Sequence, residues 1–146
     1  MQREFIKKAI TEHGFAVIAV ADPAGSFLYT VGFTDLGFPE VIISGLRQDI
    51  AHHFLWDIYR TYREGKHYET NTHVVGLANL PTVFKTVTDN AAQEFCCQAI
   101  YWYEDKLRKP TFIQLVMPDR DGLFPWDEGF DAELMKAQRN LWTSIH

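Results

Sequence analysis

The segment from Met117 to Asp127 carries the side chains best suited to chemistry in this chain of 146 residues. It reads Met-Pro-Asp-Arg-Asp-Gly-Leu-Phe-Pro-Trp-Asp, so the cation of Arg120 stands between the carboxyl groups of Asp119 and Asp121. Carboxylates two residues apart on an extended chain face the same way, and they can act as a general acid and base or can position a ligand. Two prolines and an Asp-Gly turn predict a rigid loop. The same residues also suit a purely structural loop, in which the acids cap backbone N–H groups while Trp126 and Phe124 fill the core.

Arg120 has two possible roles in this segment. Its planar guanidinium group suits a carboxylate or phosphate ligand, and it suits equally an internal ion pair with its acidic neighbours. The Asp-Arg-Asp triplet is net negative. We therefore expect internal pairing, with capture of an anionic ligand as the alternative.

Further candidates lie in the first third of the chain. His13 stands at a predicted helix end, where a partly exposed imidazole can titrate near neutral pH. In Tyr29 to Thr34, strand alternation puts Thr30, Gly32 and Thr34 on one face, and a glycine within a strand often marks the close approach of a ligand or a packed element. The predicted ligand-binding residues are His13, Tyr29, Thr30, Asp119, Arg120, Asp121 and Trp126.

The signatures of the common nucleophile, nucleotide and zinc sites are absent from the sequence. It contains no Gly-x-Ser-x-Gly, no Walker loop, no Gly-x-Gly-x-x-Gly and no His-x-x-x-His. The adjacent His52 and His53 point about 100° apart on a helix and do not readily share one metal ion. We predict no metal site, and the residues do not decide whether the protein is an enzyme.

Composition and charge argue against several classes of protein. A net charge of -5 disfavours a nucleic-acid or anionic membrane partner. No apolar run reaches the roughly 20 residues of a membrane span, and the first residues lack the apolar core of a signal peptide. The two cysteines, Cys96 and Cys97, are adjacent, which predicts reduced thiols and a cytoplasmic location.

Hydrophobic periodicity predicts one α+β domain that spans residues 1–146. Helical spacing predicts helices at 2–12, 48–63, 91–103 and 132–142. Short apolar runs predict strands at 15–21, 27–33, 40–45, 81–88 and 111–117, and a strand or loop around 73–75. We expect a mostly antiparallel sheet or a partly open barrel with three to four packed helices.

Four segments, taken in order, resemble a known family. They are His13-Gly14, Tyr29-Thr30-Val31-Gly32, Pro39-Glu40 and Gln114 to Asp127. Together they resemble a bacterial family labelled domain of unknown function 4262, over roughly residues 10–130. The resemblance implies that these positions matter and implies no reaction.

A looser resemblance, of architecture, is to split-barrel flavin-binding proteins. It is carried by a strand, a turn, a strand that ends in Thr-x-Gly-x-Thr, and a Pro-led strand followed by a helix. The resemblance implies a homodimer with flavin at the subunit interface. The chain departs from those proteins at Thr34-Asp35-Leu36-Gly37, which stands where their serine-rich phosphate-binding segment lies and carries an acid that repels phosphate.

These observations lead to two hypotheses of different classes. The first is a cytoplasmic small-molecule-binding protein whose pocket lies near the 117–127 loop and also uses His13, Tyr29 and Thr30, with a nucleotide-like or flavin-like ligand. The second is a protein–protein interaction or inhibitor module, host- or phage-encoded, that acts without catalysis through an acidic surface and exposed aromatic side chains.

Overall fold

A computed structural model describes residues 2–143, and within them the chain forms four α-helices, six β-strands and a one-turn 3₁₀ helix at Phe33–Leu36. The helices are α1 (Arg3–His13), α2 (Gln48–Arg63), α3 (Asp89–Phe95) and α4 (Cys97–Glu104). The strands are β1 (Ala16–Val20), β2 (Phe27–Val31), β3 (Glu40–Ser44), β4 (His73–Val74), β5 (Thr82–Thr86) and β6 (Phe112–Val116). None of the helices in this part of the chain is long and apolar enough to cross a membrane.

The six strands form one open sheet in the order β1-β2-β3-β6-β5-β4. Neighbouring strands are antiparallel except β3 and β6, which run parallel. The strands β1 and β4 are the two edges and do not pair with each other. The α+β prediction is confirmed, with four helices and an open sheet rather than a closed barrel.

Both faces of the sheet are covered by helices. One core cluster joins α1, α3 and α4 to side chains of the sheet that include Ile18 and Tyr29. The other packs α2 against side chains that include Leu28 and Val41. The strands β2, β3 and β6 lie inside the sheet and are buried along all of their residues. A strand buried on both faces is a near-continuous apolar run, and these three strands are apolar except for a few buried polar side chains such as Gln114.

The helix predicted at 91–103 is instead two helices, α3 and α4, which meet at Cys96. Cys96 has φ -120° and ψ 33°, outside the helical conformation, and is fully buried. The Tyr29 hydroxyl accepts a hydrogen bond of 3.1 Å from the N–H of Gln98 in the first turn of α4. The first N–H groups of a helix have no partner within the helix. The break at Cys96 therefore lets one of them, at the start of α4, bond to a side chain of the sheet.

The helix predicted at 132–142 is wrong, because residues 132–137 form turns and the following residues bond to the sheet. The Gln114 side chain donates to the carbonyl of Arg139 at 2.6 Å. The Gln138 side chain bonds to both backbone groups of Met117, at 2.8 and 3.1 Å. A Cβ at Gly45 would lie 2.8 Å from the backbone nitrogen of Gln138. These tertiary contacts override the helical spacing of the tail.

Candidate functional site

The predicted ligand-binding residues do not meet in one pocket. The strands β1, β3 and β6 all point the same way, because β1 and β3 are each antiparallel to β2, and β6 is parallel to β3. His13, which precedes β1, therefore lies at one end of the sheet, and the loop 117–127, which follows β6, lies at the opposite end. We call these the Glu40 end and the loop end, since Glu40 is the first residue of β3.

The loop 117–127 is held together by its own acidic side chains. The Asp119 carboxylate accepts hydrogen bonds of 2.9 Å from the N–H groups of Asp121, Leu123 and Asp131, and Asp119 is only 3% exposed. The hydrogen bond from Asp131 is the largest of the effects that hold the pKa of Asp119 below its usual value. This geometry is that of a structural loop whose local donors are satisfied by carboxylates.

Arg120 and Asp121 are exposed at the tip of this loop. Neither side chain forms an ion pair or a hydrogen bond with any residue among 2–143. The expected internal pair between Arg120 and its acidic neighbours is not formed, since the carboxylate of Asp119 is taken by backbone N–H groups.

Of the two aromatic side chains predicted to fill the core beneath this loop, Phe124 does so and Trp126 does not. Phe124 is 1% exposed and packs with Val83 and Val116, whereas Trp126 is 44% exposed. The two rings stack with centroids 5.1 Å apart, and the ammonium group of Lys85 lies 4.4 Å from the centroid of Trp126. Trp126 therefore covers Phe124 from the solvent side.

Replacing Asp119 by Asn is expected to make the free energy of unfolding depend less on pH in the acid range. A carboxyl group whose pKa is lowered in the folded protein contributes stability above its unfolded pKa of about 3.9, and this contribution is lost as the pH falls through the lower folded value. Urea unfolding from about pH 7 to about pH 2 measures this. The free-energy gap between wild type and Asp119→Asn should shrink toward acid, while the exposed control Asp121→Asn should follow wild type throughout. A gap that stays constant with pH would contradict the assigned role of the Asp119 charge.

Thr30 and the polar stripe after it surround a buried carboxylate at the Glu40 end. Glu40 is 0% exposed. Its Oε1 accepts hydrogen bonds from Thr30 Oγ1 at 2.7 Å and from the N–H of Phe33 at 3.1 Å. Its Oε2 accepts from the N–H of Gly32 at 3.2 Å and from the N–H and Oγ1 of Thr34 at 2.8 and 2.6 Å. Burial raises the pKa of Glu40, and the hydrogen bonds from Thr34, Thr30 and Phe33 act in the opposite direction.

The group that approaches Gly32 closely is a packed element, not a ligand. Gly32 has φ +129°, and a Cβ there would lie 3.0 Å from Cα of Phe15. The backbone N–H groups of residues 32–34 are already bonded to Glu40, and those of Asp35 and Gly37 bond to backbone carbonyls. The residues present at Thr34–Gly37 therefore do not fit the phosphate of a flavin.

Sequence reasoning missed Glu40 as the centre of this network, although a signal for it exists. Glu40 begins the apolar run Val41-Ile42-Ile43. A charge at the head of a fully buried strand requires hydrogen-bond partners. The nearby Thr30 and Thr34, which we interpreted as a stripe that faces a ligand, are two of those partners.

A crevice of about 460 Å³ opens between α3, α4 and the segment that leads into β6. We call it the α3–α4 crevice. Its buried floor is apolar and consists of Val87, Ala92, Pro110 and Phe112. Its exposed mouth carries Thr86, Asp89, Gln93, Glu104, Leu107, Arg108, Lys109 and Thr111. The crevice thus combines an apolar interior with several polar groups at its opening.

Arg108 is the most firmly positioned cation at the mouth of this crevice. Its Nη1 donates a hydrogen bond of 3.2 Å to the carbonyl of Thr34 and lies 3.7 Å from Oδ1 of Asp35. Its other guanidinium N–H groups make no hydrogen bond within residues 2–143. Lys109 and Asp89 lie 3.8 Å apart, but both side chains are 83% exposed, and such surface pairs contribute little to stability.

A second cavity, of about 420 Å³, lies between α1, β1 and α2, and we call it the α1–α2 groove. It is lined by Phe5, Lys8, Ala9, Glu12, His13, Phe15, Val17, His52 and Trp56. Of the predicted ligand-binding residues, His13 alone lines either of these two cavities.

Comparison with known proteins yields a family and no activity. Residues 9–131 match the model of a family described as Domain of unknown function (DUF4262). This match confirms the resemblance seen in the four sequence segments. No curated protein and no solved structure matches the chain.

Proposed function

Because the chain belongs to the family described as Domain of unknown function (DUF4262), which is named for no activity, we propose its function from the geometry: the protein binds a small amphipathic molecule in the α3–α4 crevice. The observation that carries this proposal is a cavity of about 460 Å³ with a buried apolar floor and a charged mouth. Small-molecule pockets typically enclose about 300–1,000 Å³ and combine apolar walls with a few polar groups. The proposal puts the ligand at the Glu40 end and not against the 117–127 loop.

The ligand would lie with its apolar part on the floor and an anionic head at Arg108. The floor side chains Val87, Ala92 and Phe112 offer no hydrogen-bonding side-chain atoms. Arg108 is held at one nitrogen by Thr34 and keeps its remaining donors for a ligand. A carboxylate or phosphate head matches the planar fork of a guanidinium group. Lys109 is the weaker anchor, because its side chain is 83% exposed and is not held by a hydrogen bond within residues 2–143.

We assign this binding protein to the cytoplasm as part of the same proposal. Both cysteines are free thiols, with Cys96 buried and Cys97 half-buried. Reduced cysteines are the usual state of cytoplasmic proteins.

The test compares octanoate, octanol and octylammonium, which share one alkyl chain and differ in head charge. We expect octanoate to raise the melting temperature of the wild type, by mass action on the folded state, more than the other two. Arg108→Gln should weaken octanoate binding about tenfold, as expected for the loss of a charge-assisted hydrogen bond. The neighbouring Lys109→Gln is the matched control and should change the affinity less than about twofold.

A second variant tests the location rather than the head group. Thr86 is exposed at the lip of the crevice and at the end of β5, so Thr86→Trp fills the opening without disturbing the core. Octanoate binding should disappear in this variant. Unchanged binding by Thr86→Trp, or equal binding of all three heads, would contradict the proposal. A protein partner retained in a pull-down, with no ligand effect, would favour the interaction module instead.

A further inference from the structure

We propose that the α1–α2 groove is a second binding site, which takes an uncharged planar heteroaromatic ring. This inference does not depend on the α3–α4 crevice, because the two cavities share no lining residue. The groove lies along β1, which is an edge strand of the sheet. Phe15 and Val17 line it and belong to the core on the α2 side, whereas the crevice is bounded by α3 and α4 on the other face.

Aromatic side chains of α1, of α2 and of the turn between α1 and β1 form the walls of the groove. Phe15 packs edge to face against Trp56, with centroids 4.9 Å apart and an angle of 67° between the rings. Trp56 is still only half-buried after this contact and lines the groove. Phe5, on α1, also lines the groove and is 53% exposed. Aromatic walls of this kind gain most from a flat aromatic ligand, through stacked or edge-to-face contacts.

Phe5 is exposed and is not one of the residues that pack α1 against the core. The helix is anchored to the core by Ile6, Ala9 and Ile10. Phe5 shares a helix face with Ala9 and Glu12, both of which also line the groove. A large apolar side chain that faces a concave, ring-lined cavity marks a surface suited to binding.

Two histidines supply the polar groups of the groove. His13 lies at the end of α1, and its ring centroid is 6.1 Å from that of Trp56. His52 lies one turn before Trp56 on α2. A neutral imidazole carries one donor and one acceptor nitrogen. The pair can therefore serve the mixed donors and acceptors at the edge of a heteroaromatic ring.

The charges of the groove cancel, which selects against a charged ligand. Lys8 Nζ and Glu12 Oε1 lie 4.0 Å apart, and both residues line the cavity. A ligand with a net charge would meet one attractive and one repulsive neighbour at similar range, so it gains little over an uncharged one. Ring stacking and imidazole hydrogen bonds are left to determine the affinity.

The experiment titrates the protein with adenosine, uridine and lumichrome, which carry uncharged heteroaromatic rings. AMP is adenosine with an added phosphate charge. Ribose is the sugar of adenosine and uridine without the heteroaromatic ring. Isothermal calorimetry should show binding of at least one ring ligand, no binding of ribose, and no gain in affinity for AMP over adenosine. Failure of all three ring ligands to bind would overturn the proposal, as would tighter binding of AMP.

Variants locate the bound ring. Trp56→Leu should weaken binding at least about tenfold, as expected for a lost stacking partner. Tyr101→Leu removes an exposed aromatic side chain of α4 that lines neither cavity, and it should leave the affinity unchanged. Phe5→Ala changes an exposed residue, so it should fold normally and still weaken binding; it covers the case in which Trp56→Leu disturbs the core. The groove would be ruled out if wild type, Phe5→Ala and Trp56→Leu bound the ring with equal affinity. Loss of binding in the crevice variant Thr86→Trp would assign the ring to the other cavity.

Discussion

Replacement of Glu40 by alanine should lower the free energy of unfolding by at least about 3 kcal/mol. The side chain accepts five hydrogen bonds in a fully buried position, three from backbone N–H groups and two from threonine hydroxyls. A buried donor left without a partner costs about 1–3 kcal/mol. The hydroxyls can turn toward other acceptors and water can enter the gap, so the total loss is smaller than the sum over five donors. Urea unfolding near neutral pH, followed by circular dichroism, measures this loss.

The isosteric variant Glu40→Gln separates the effect of the acceptors from that of side-chain volume. It keeps one acceptor oxygen but turns an NH₂ group toward Gly32, Phe33 or Thr34, whose backbone groups are themselves donors. We expect Glu40→Gln to lose most of the stability that alanine loses. A glutamine variant as stable as wild type would show that two acceptor oxygens at residue 40 are not what holds the 33–36 turn.

Replacement of Phe124 by alanine should cost about 3–5 kcal/mol, the usual range for a buried phenylalanine. Phe124 is 1% exposed, and its ring lies 5.3 Å from that of His73 and 5.1 Å from that of Trp126. The neighbouring Val83 and Val116 are paired strand residues, so they cannot move far into the space that the ring leaves. Equilibrium unfolding in urea gives the value directly.

Trp126→Ala is the matched comparison for Phe124→Ala. Trp126 is 44% exposed, so its truncation removes less buried area, and we expect less than about half the loss seen for Phe124. The opposite order would mean that Trp126 is the side chain that anchors the loop. Trp126 is also a predicted ligand-binding residue. A variant that keeps its stability but loses a ligand would support a site at the loop end.

Local periodicity was enough to predict most of the helices and strands. The helix predicted at 48–63 has the bounds of α2, because Phe54, Leu55, Ile58 and Tyr62 repeat at helical spacing and all face the core. The tail at 132–142 has a similar spacing and is not a helix. Its backbone instead finds partners in the side chain of Gln114, and no periodicity within the tail contains that information.

The residues of the candidate site were likewise predicted only in part. The sequence identified Asp119 and Thr30 as polar residues in rigid segments, but it did not identify what they bind. Asp119 bonds to backbone N–H groups as far away as Asp131, and Thr30 bonds to Glu40. Every residue type except proline has the same backbone N–H, so the residue types do not show which N–H groups a side chain will bond to.

The sequence by itself determined the family, the fold class and the segments that become strands, since each depends on residue types at short spacing. The tertiary structure alone decided the order of the strands and, with it, the separation of His13 from the loop 117–127. It also decided that residues of α1, β1 and α2 line one groove. The physical reason is that every strand offers the same backbone donors and acceptors. Which strands pair depends on how the faces of the whole sheet are buried, and that is a property of the assembled chain.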